Sequence, residues 1–162
     1  HLSWTDDKFV EGEASIIEIS GVYKKYHCPM ARTVLLGKPD QKKIDTMKRT
    51  REALQAGIDV TKPGNTADDV AQAFWKVLDK YGIEKKSRTG YSIGIGYPPD
   101  WGEHTLNIQK GDKTVLQKNV CFHMIAVMQF GEWGVESSES IRVSENGAEN
   151  FYKFPGELHI KG

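Results

Sequence analysis

Two amphipathic helical stripes stand back to back in the middle of this chain, with strand-like alternation before and after them, and that order leaves few folds open. Ile44, Met47, Leu54 and Ile58 recur at helical spacing behind Asp40, a residue type suited to capping a helix start. This first helix is expected to end near Gly57. The punctuation K-P-G-N-T leads to Thr66, an N-cap with Asp69 three residues on. Val70, Phe74, Val77, Leu78 and Tyr81 then form the second stripe, which Gly82 closes. Ahead of the helices, residues 14–20 alternate as a strand, with Ile17 and Ile19 on one face and Ile16 and Glu18 on the other. Residues 32–36 read as its hairpin partner across a nine-residue connection, because Pro29 cannot donate to a central ladder. Behind the helices, residues 91–95, 120–130 and 138–143 have strand character, joined by Gly-, Pro- and Asp-rich loops. Strands, helices and strands again read as an α+β domain.

Composition narrows the function classes. The 162 residues suit one domain or most of one, with no internal repeat, low-complexity stretch or linker. Lys plus Arg and Asp plus Glu both number 22, so the net charge is zero and no basic excess points to nucleic acid or an acidic membrane. No apolar run approaches the ~20 residues of a membrane-spanning helix, and no signal peptide opens the chain. Cys28 and Cys121 stand 93 positions apart without a C-x-x-C, which argues against a disulfide framework or a thiolate zinc site. The reading is a soluble, cytoplasmic chain, and its start at His1 instead of Met marks a processed product or a fragment. Neither G-x-G-x-x-G opening a helix, a P-loop, H-E-x-x-H nor G-x-S-x-G is present.

Longer motifs say more: I-I-E-I-S-G at 16–21, Y-H-C-P-M-A-R-T at 26–33, K-P-G at 62–64, G-Y-S-I-G at 90–94, V-C-F-H-M at 120–124 and S-E-S-I-R-V-S-E-N-G at 138–147. In this order, and with His1 ahead of them, they resemble the pita-bread family of methionine aminopeptidase, Xaa-Pro dipeptidase and creatinase. The resemblance runs over nearly the whole chain but covers only the later part of the family's catalytic domain. It implies a truncated pita-bread: a curved, mostly antiparallel sheet with two helices on one face, lacking the N-terminal domain and the first part of the fold. The family's peptidases hold two metal ions on two aspartates, a histidine and two glutamates. Carried over, those places hold Glu18, Pro29, Tyr91, Ile125 and Ser138, of which only Glu18 remains a good ligand. The likeness is nearer to ectoine hydrolases, which open a cyclic amidine. It is carried by G-Y-S-I-G-I-G-Y-P-P-D-W-G-E at 90–103 and W-G-V-E-S-S-E-S-I at 133–141.

Strand alternation says which polar groups share the old metal face. If position 125 faces it, so does His123; if 138 faces it, so does Glu136, while Glu139 turns away. His27 shares the face of position 29. The expected catalytic residues are His1, Glu18 and Glu136, with His27, Tyr91, Trp101, Glu103 and His123 binding substrate, Trp101 and Glu103 from a loop. No metal and no cofactor are expected. The expected activity is metal-independent hydrolysis of a C–N bond in a small amidine-like substrate. Paired carboxylates would balance an amidinium, and a histidine would move the proton. Alternatives are a non-catalytic pita-bread binding module or inactive fragment, and a metallohydrolase resembling the Xaa-Pro peptidases. The strands at 14–20 and 120–130 should present an unpaired edge or apolar face. That leads to the expectation of a homodimer, or of a partner chain covering the missing half-fold.

Overall fold

The computed structural model describes residues 6–97 and 99–162. A long hairpin comes first, β1 (Ala14–Tyr23) and β2 (Tyr26–Leu36), paired antiparallel from Ala14↔Leu35 to Tyr23↔Tyr26. The nine-residue connection expected from Pro29 is therefore a two-residue turn. Lys24 and Lys25 occupy it at φ 48° and 71°, the left-handed geometry that matches the twist of a tight hairpin. A two-residue turn makes Tyr23 and Tyr26 the hydrogen-bonded closing pair. The backbone groups of His27, Pro29, Ala31 and Thr33 consequently point away from β1. Pro29 sits within the strand at no cost because its missing N–H is not needed on that side. Both turn lysines are in a conformation that a β-carbon disfavours. Lys24→Asn with Lys25→Gly is expected to stabilise the chain by about 0.5–1 kcal/mol; an unchanged or lower urea midpoint would contradict this turn.

Helix α1 (Gln41–Asp59) starts where expected, with the Asp40 carboxylate accepting from the Lys43 N–H at 2.8 Å, and runs two residues past Gly57. Gly57 is the point of closest approach to the sheet, since a β-carbon there would lie 2.1 Å from Met124 Cε. Helix α2 (Ala67–Lys80) opens on the Thr66–Asp69 capping box and ends before Gly82, at φ 63°. Both helices pack on one face of the sheet. Met47, Leu54, Val70, Phe74 and Leu78 meet Phe122, Met124, Ala126 and Ile141 in a single core. Ile44, counted in the first stripe, is only half-buried.

The remaining strands are β3 (Gly90–Tyr97), β4 (Asp100–Ile108), β5 (Cys121–Phe130), β6 (Trp133–Ser144), β7 (Gly147–Asn150) and β8 (His159–Lys161). The sheet order is β1-β2-β3-β5-β6-β7, with β4 on β3 and β8 on β2, and among the described residues only the β2–β8 pair is parallel. The expected α+β architecture stands, with corrections. The P-P-D-W-G-E segment expected as a loop puts Trp101 and Glu103 on β4, and the short β7 and β8 carry no alternation long enough to read. Strand β1 is the sheet edge and leaves Ile17, Ile19, Val22 and Tyr23 exposed, as expected for 14–20. Strand β5 is not an edge: it lies between β3 and β6.

The sheet curls so that β2 lies over β6, although the two form no ladder. Side chains of the E-S-S-E-S segment take over the pairing. Ser138 Oγ accepts from the Ala31 N–H at 2.7 Å, and Ser140 Oγ donates to the Pro29 carbonyl at 2.6 Å. Thr33 Oγ1 donates to the Glu136 carbonyl at 2.8 Å and accepts the Glu136 N–H at 2.7 Å. Ser138 and Ser140 are fully buried for this reason, since buried backbone groups must find partners, while Ser137 faces the helices and accepts from Arg51.

Candidate active site

Cross-strand pairing fixes which side chains share a face. The pairs His123↔Ser140, Ile125↔Ser138 and Val127↔Glu136 place His123, Ser138 and Glu136 on the face opposite the helices. The pair Tyr91↔His123 adds Tyr91, and Glu18↔Ala31 adds Glu18 from the β1–β2 hairpin. Glu139 turns to the helix side, as expected, where it pairs with Arg32 at 3.1 Å and Arg51 at 2.8 Å. The Arg32 guanidinium also donates to the carbonyls of Ala31, Ser138, Phe154 and Pro155, tying β2, β6 and the C-terminal segment together behind the site.

At the centre runs a chain of hydrogen bonds. Trp101 Nε1 donates to Tyr91 Oη at 2.7 Å. Tyr91 Oη lies 3.0 Å from His123 Nδ1, His123 Nε2 lies 2.6 Å from Ser138 Oγ, and Ser138 Oγ accepts from the Ala31 N–H. The Tyr91 and His123 rings meet edge to face at 5.5 Å. His123 has no exposed surface; burial, and next the Arg32 charge, hold its pKa down at about 3, so the ring is neutral. Burial lifts the Tyr91 phenol to about 12, against the Trp101 hydrogen bond that lowers it.

Two carboxylates flank this chain. Burial raises the Glu18 pKa. Glu136 is 8% exposed and is pushed up to about 7, by burial and then by the Glu18 charge, while Lys85 pulls it the other way. Glu18 also bears on the Tyr91 phenol, so the three groups are near neighbours. Lys85 was invisible as a site residue: it stands in the charged run I-E-K-K-S-R, which reads as a solvated loop. It is instead 9% exposed, donating from Nζ to Ser87 Oγ at 2.6 Å and to the Arg88 carbonyl at 3.0 Å. Burial brings its pKa down to about 8, opposed by Glu136. Ser138, read only as a lost metal ligand, proves to be the joint between β2, β6 and His123. The run of small polar residues around it was the available signal.

Not every expected residue joins this cluster. His27 and Glu103 line a separate cavity of about 1140 Å³ where β2, β3 and β5 splay apart, together with Cys28 and Cys121. His27 is buried with neither ring nitrogen hydrogen-bonded among the described residues, and Glu103 accepts from the Ile95 N–H at 3.0 Å. Their separation follows from geometry that alternation along one strand cannot show. Strand β3 leaves β5 after Ser92, and bulges in its pairing with β4 turn Glu103 to that side. His1 lies outside the described residues.

The side chains at the five carried-over metal places do not fit a dinuclear centre. Pro29 and Ile125 offer no donor atom, and Tyr91 and Ser138 are committed to His123. Among the described residues, no three His, Cys, Asp or Glu side chains come together to hold a metal ion.

The comparisons with known proteins bear on the fold and the family. The chain is 43% identical over 162 residues to ectoine hydrolase of Halomonas elongata, covering 99% of this chain and 41% of that protein. Among solved structures it is similar to the dipeptidase PepE of Mycobacterium ulcerans, with a TM-score of 0.86 and 27% identity over 96% of this chain and 42% of that one. A dipeptidase from Pyrococcus horikoshii shares the fold at a TM-score of 0.89 and 22% identity, covering 97% and 44%. The chain thus spans about two fifths of the length of the relatives it matches. The model of metallopeptidase family M24 matches residues 1–145, and on that match this chain, with its pita-bread fold, belongs to family M24.

Proposed function

We propose that this chain carries the catalytic face of a metal-independent hydrolase that opens a C–N bond in a small amidine-like substrate, as an ectoine-hydrolase-like protein. The observation that carries the reading is the Glu18 charge bearing on the buried Glu136 carboxylate, on a face where Pro29 and Ile125 offer no metal donor and, among the described residues, no three His, Cys, Asp or Glu side chains gather. Two carboxylates facing the Lys85 cation leave a negative charge to balance, and a planar amidinium offers paired N–H groups that suit carboxylate oxygens. Glu136, with its pKa near neutrality, is matched to taking a proton from water and returning it. Water oxygen bonds to the amidine carbon as its proton passes to Glu136. The C–N bond then breaks as the departing nitrogen takes that proton, and the hydroxyl proton released when the carbonyl forms leaves with the amine, giving an amide and an ammonium ion. Likeness to ectoine hydrolase supports the substrate class, and the donor chemistry supports the absence of a metal step. The exposed edge of β1 would be covered in the working assembly by a second copy or by further chain.

The test is a thermal-shift and turnover series on the chain with ectoine, creatine and a Xaa-Pro dipeptide, each with and without chelator. Ectoine is expected to raise the melting temperature and to be opened at a rate unaffected by the chelator. Glu136→Gln should lower that rate by ~10²-fold or more. Dipeptide cleavage that needs added divalent metal, with no response to ectoine, would overturn the reading.

A further inference from the structure

The hydrogen-bond chain through His123 can be counted proton by proton. Its two ends are fixed donors, the Trp101 indole N–H and the Ala31 backbone N–H, neither of which can accept. Between them lie three hydrogens to place: one on Tyr91, one on Ser138 and one on the neutral His123 ring. Two arrangements satisfy both inner contacts. In one, Tyr91 donates to Nδ1 and Nε2–H donates to Ser138, which leaves the Ser138 hydroxyl hydrogen to find another acceptor. Ser138 is fully buried, and Oγ meets only the Ala31 N–H and His123 among the described residues. A hydroxyl hydrogen buried there without an acceptor forfeits a bond that it would keep in water. In the other arrangement, Ser138 donates to Nε2 and Nδ1–H donates to Tyr91. Every buried group is then satisfied. The spare hydrogen belongs to Tyr91, whose ring is only half-buried and whose oxygen already accepts from Trp101.

We infer that Ser138 locks His123 as its Nδ1–H tautomer, and that the lock frees the Tyr91 O–H from His123, as a hydrogen-bond donor to the departing nitrogen of the substrate. The role at the substrate rests on the reaction proposed above; the tautomer does not. An amidinium nitrogen shares its lone pair with the carbon and accepts poorly. Once water has added, that carbon is tetrahedral and the lone pair is localised on nitrogen, so the Tyr91 bond forms as the transition state for water addition is reached and gives way when the Glu136 proton takes that lone pair. Stabilisation of that kind raises kcat and leaves KM alone. Tyr91 keeps its proton throughout, since its phenol titrates only at about 12. His123 and Ser138 are positioning residues that act through it.

Nitrogen-15 NMR of the histidine-labelled chain at neutral pH reads the tautomer directly, without substrate. The expected result is a pyrrole-type Nδ1 and a pyridine-type Nε2 for His123, assigned by its loss in His123→Gln. A protonated Nε2 with bare Nδ1, or an imidazolium, would overturn the inference. Tyr91→Phe keeps the ring that packs edge-on against His123. With ectoine it is expected to lose 10²–10³-fold in kcat with KM within a few-fold of the parent. A kcat equal to the parent's would remove Tyr91 from the reaction. If ectoine is not turned over by the parent chain, the proposed reaction fails by that result, and the NMR tautomer still decides the inference.

Discussion

Glu139→Ala is expected to lower folding stability by about 3–5 kcal/mol, the largest loss from any single substitution considered for this chain. Glu139 is 2% exposed and lies between two guanidinium groups, Arg32 at 3.1 Å and Arg51 at 2.8 Å. Arg32 is itself 4% exposed, so removing the carboxylate leaves a buried cation without its counter-charge. The damage would spread, because the same guanidinium holds the carbonyls of Ala31, Ser138, Phe154 and Pro155. Urea unfolding followed by tryptophan fluorescence measures it. A loss below about 1 kcal/mol would mean that the pair is open to water and screened like a surface ion pair.

The second large effect is a change in the shape of the pH–stability curve. His123 is neutral in the fold, with a pKa of about 3 against an ordinary 6.5. The unfolded chain therefore takes up this proton first, and stability falls as the pH drops from about 6.5 towards 3. Glu136 has the opposite sign. Its folded pKa of about 7 exceeds the ordinary 4.5, so the fold takes up the proton first and gains stability as the pH drops from 7 to 4.5. Each contribution is on the order of a few kcal/mol at full extent. They oppose one another between pH 6.5 and 4.5, and only the His123 loss continues below. Asp68, held at about 2 by its hydrogen bonds to Lys113 and the Gly111 N–H, adds to the loss at the acid end. The melting temperature of the parent chain should be nearly level from pH 7 to 5 and fall steeply under 4.5. Glu136→Gln removes the opposing gain, so its decline should begin near pH 6.5. Superimposable profiles for the two proteins would show that Glu136 does not titrate out of place.

Much of the fold was legible because local patterns carried it. The stripes of α1 and α2, the Asp40 cap and the Thr66–Asp69 box are properties of neighbouring residues, and they stand but for the half-buried Ile44, Val77 and Tyr81. The Ile16–Ile19 segment alternates, yet it ends at a sheet edge with apolar groups outward, so alternation marked a strand without saying what lay against it. Pro29 misled for a physical reason. A proline forbids a ladder bond on one side only, and a two-residue turn placed that side away from β1. The strand β4 was hidden by Gly and Pro at its start, and its pairing with β3 is irregular enough to blur any period of two.

The site divides along the same line. From the sequence alone came the inward face of His123 and Glu136 and the outward turn of Glu139, because a strand's two faces follow from counting. The loss of donor groups at Pro29 and Ile125 was equally readable, being a matter of side-chain chemistry. Only the tertiary structure decided that Lys85 is buried beside Glu136, that His27 and Glu103 line a different cavity, and that Ser138 joins Ala31 to His123. Those facts depend on how far the sheet curls and where β3 parts from β5. Such angles are set by the packing of the whole core, and no short stretch of residues encodes them.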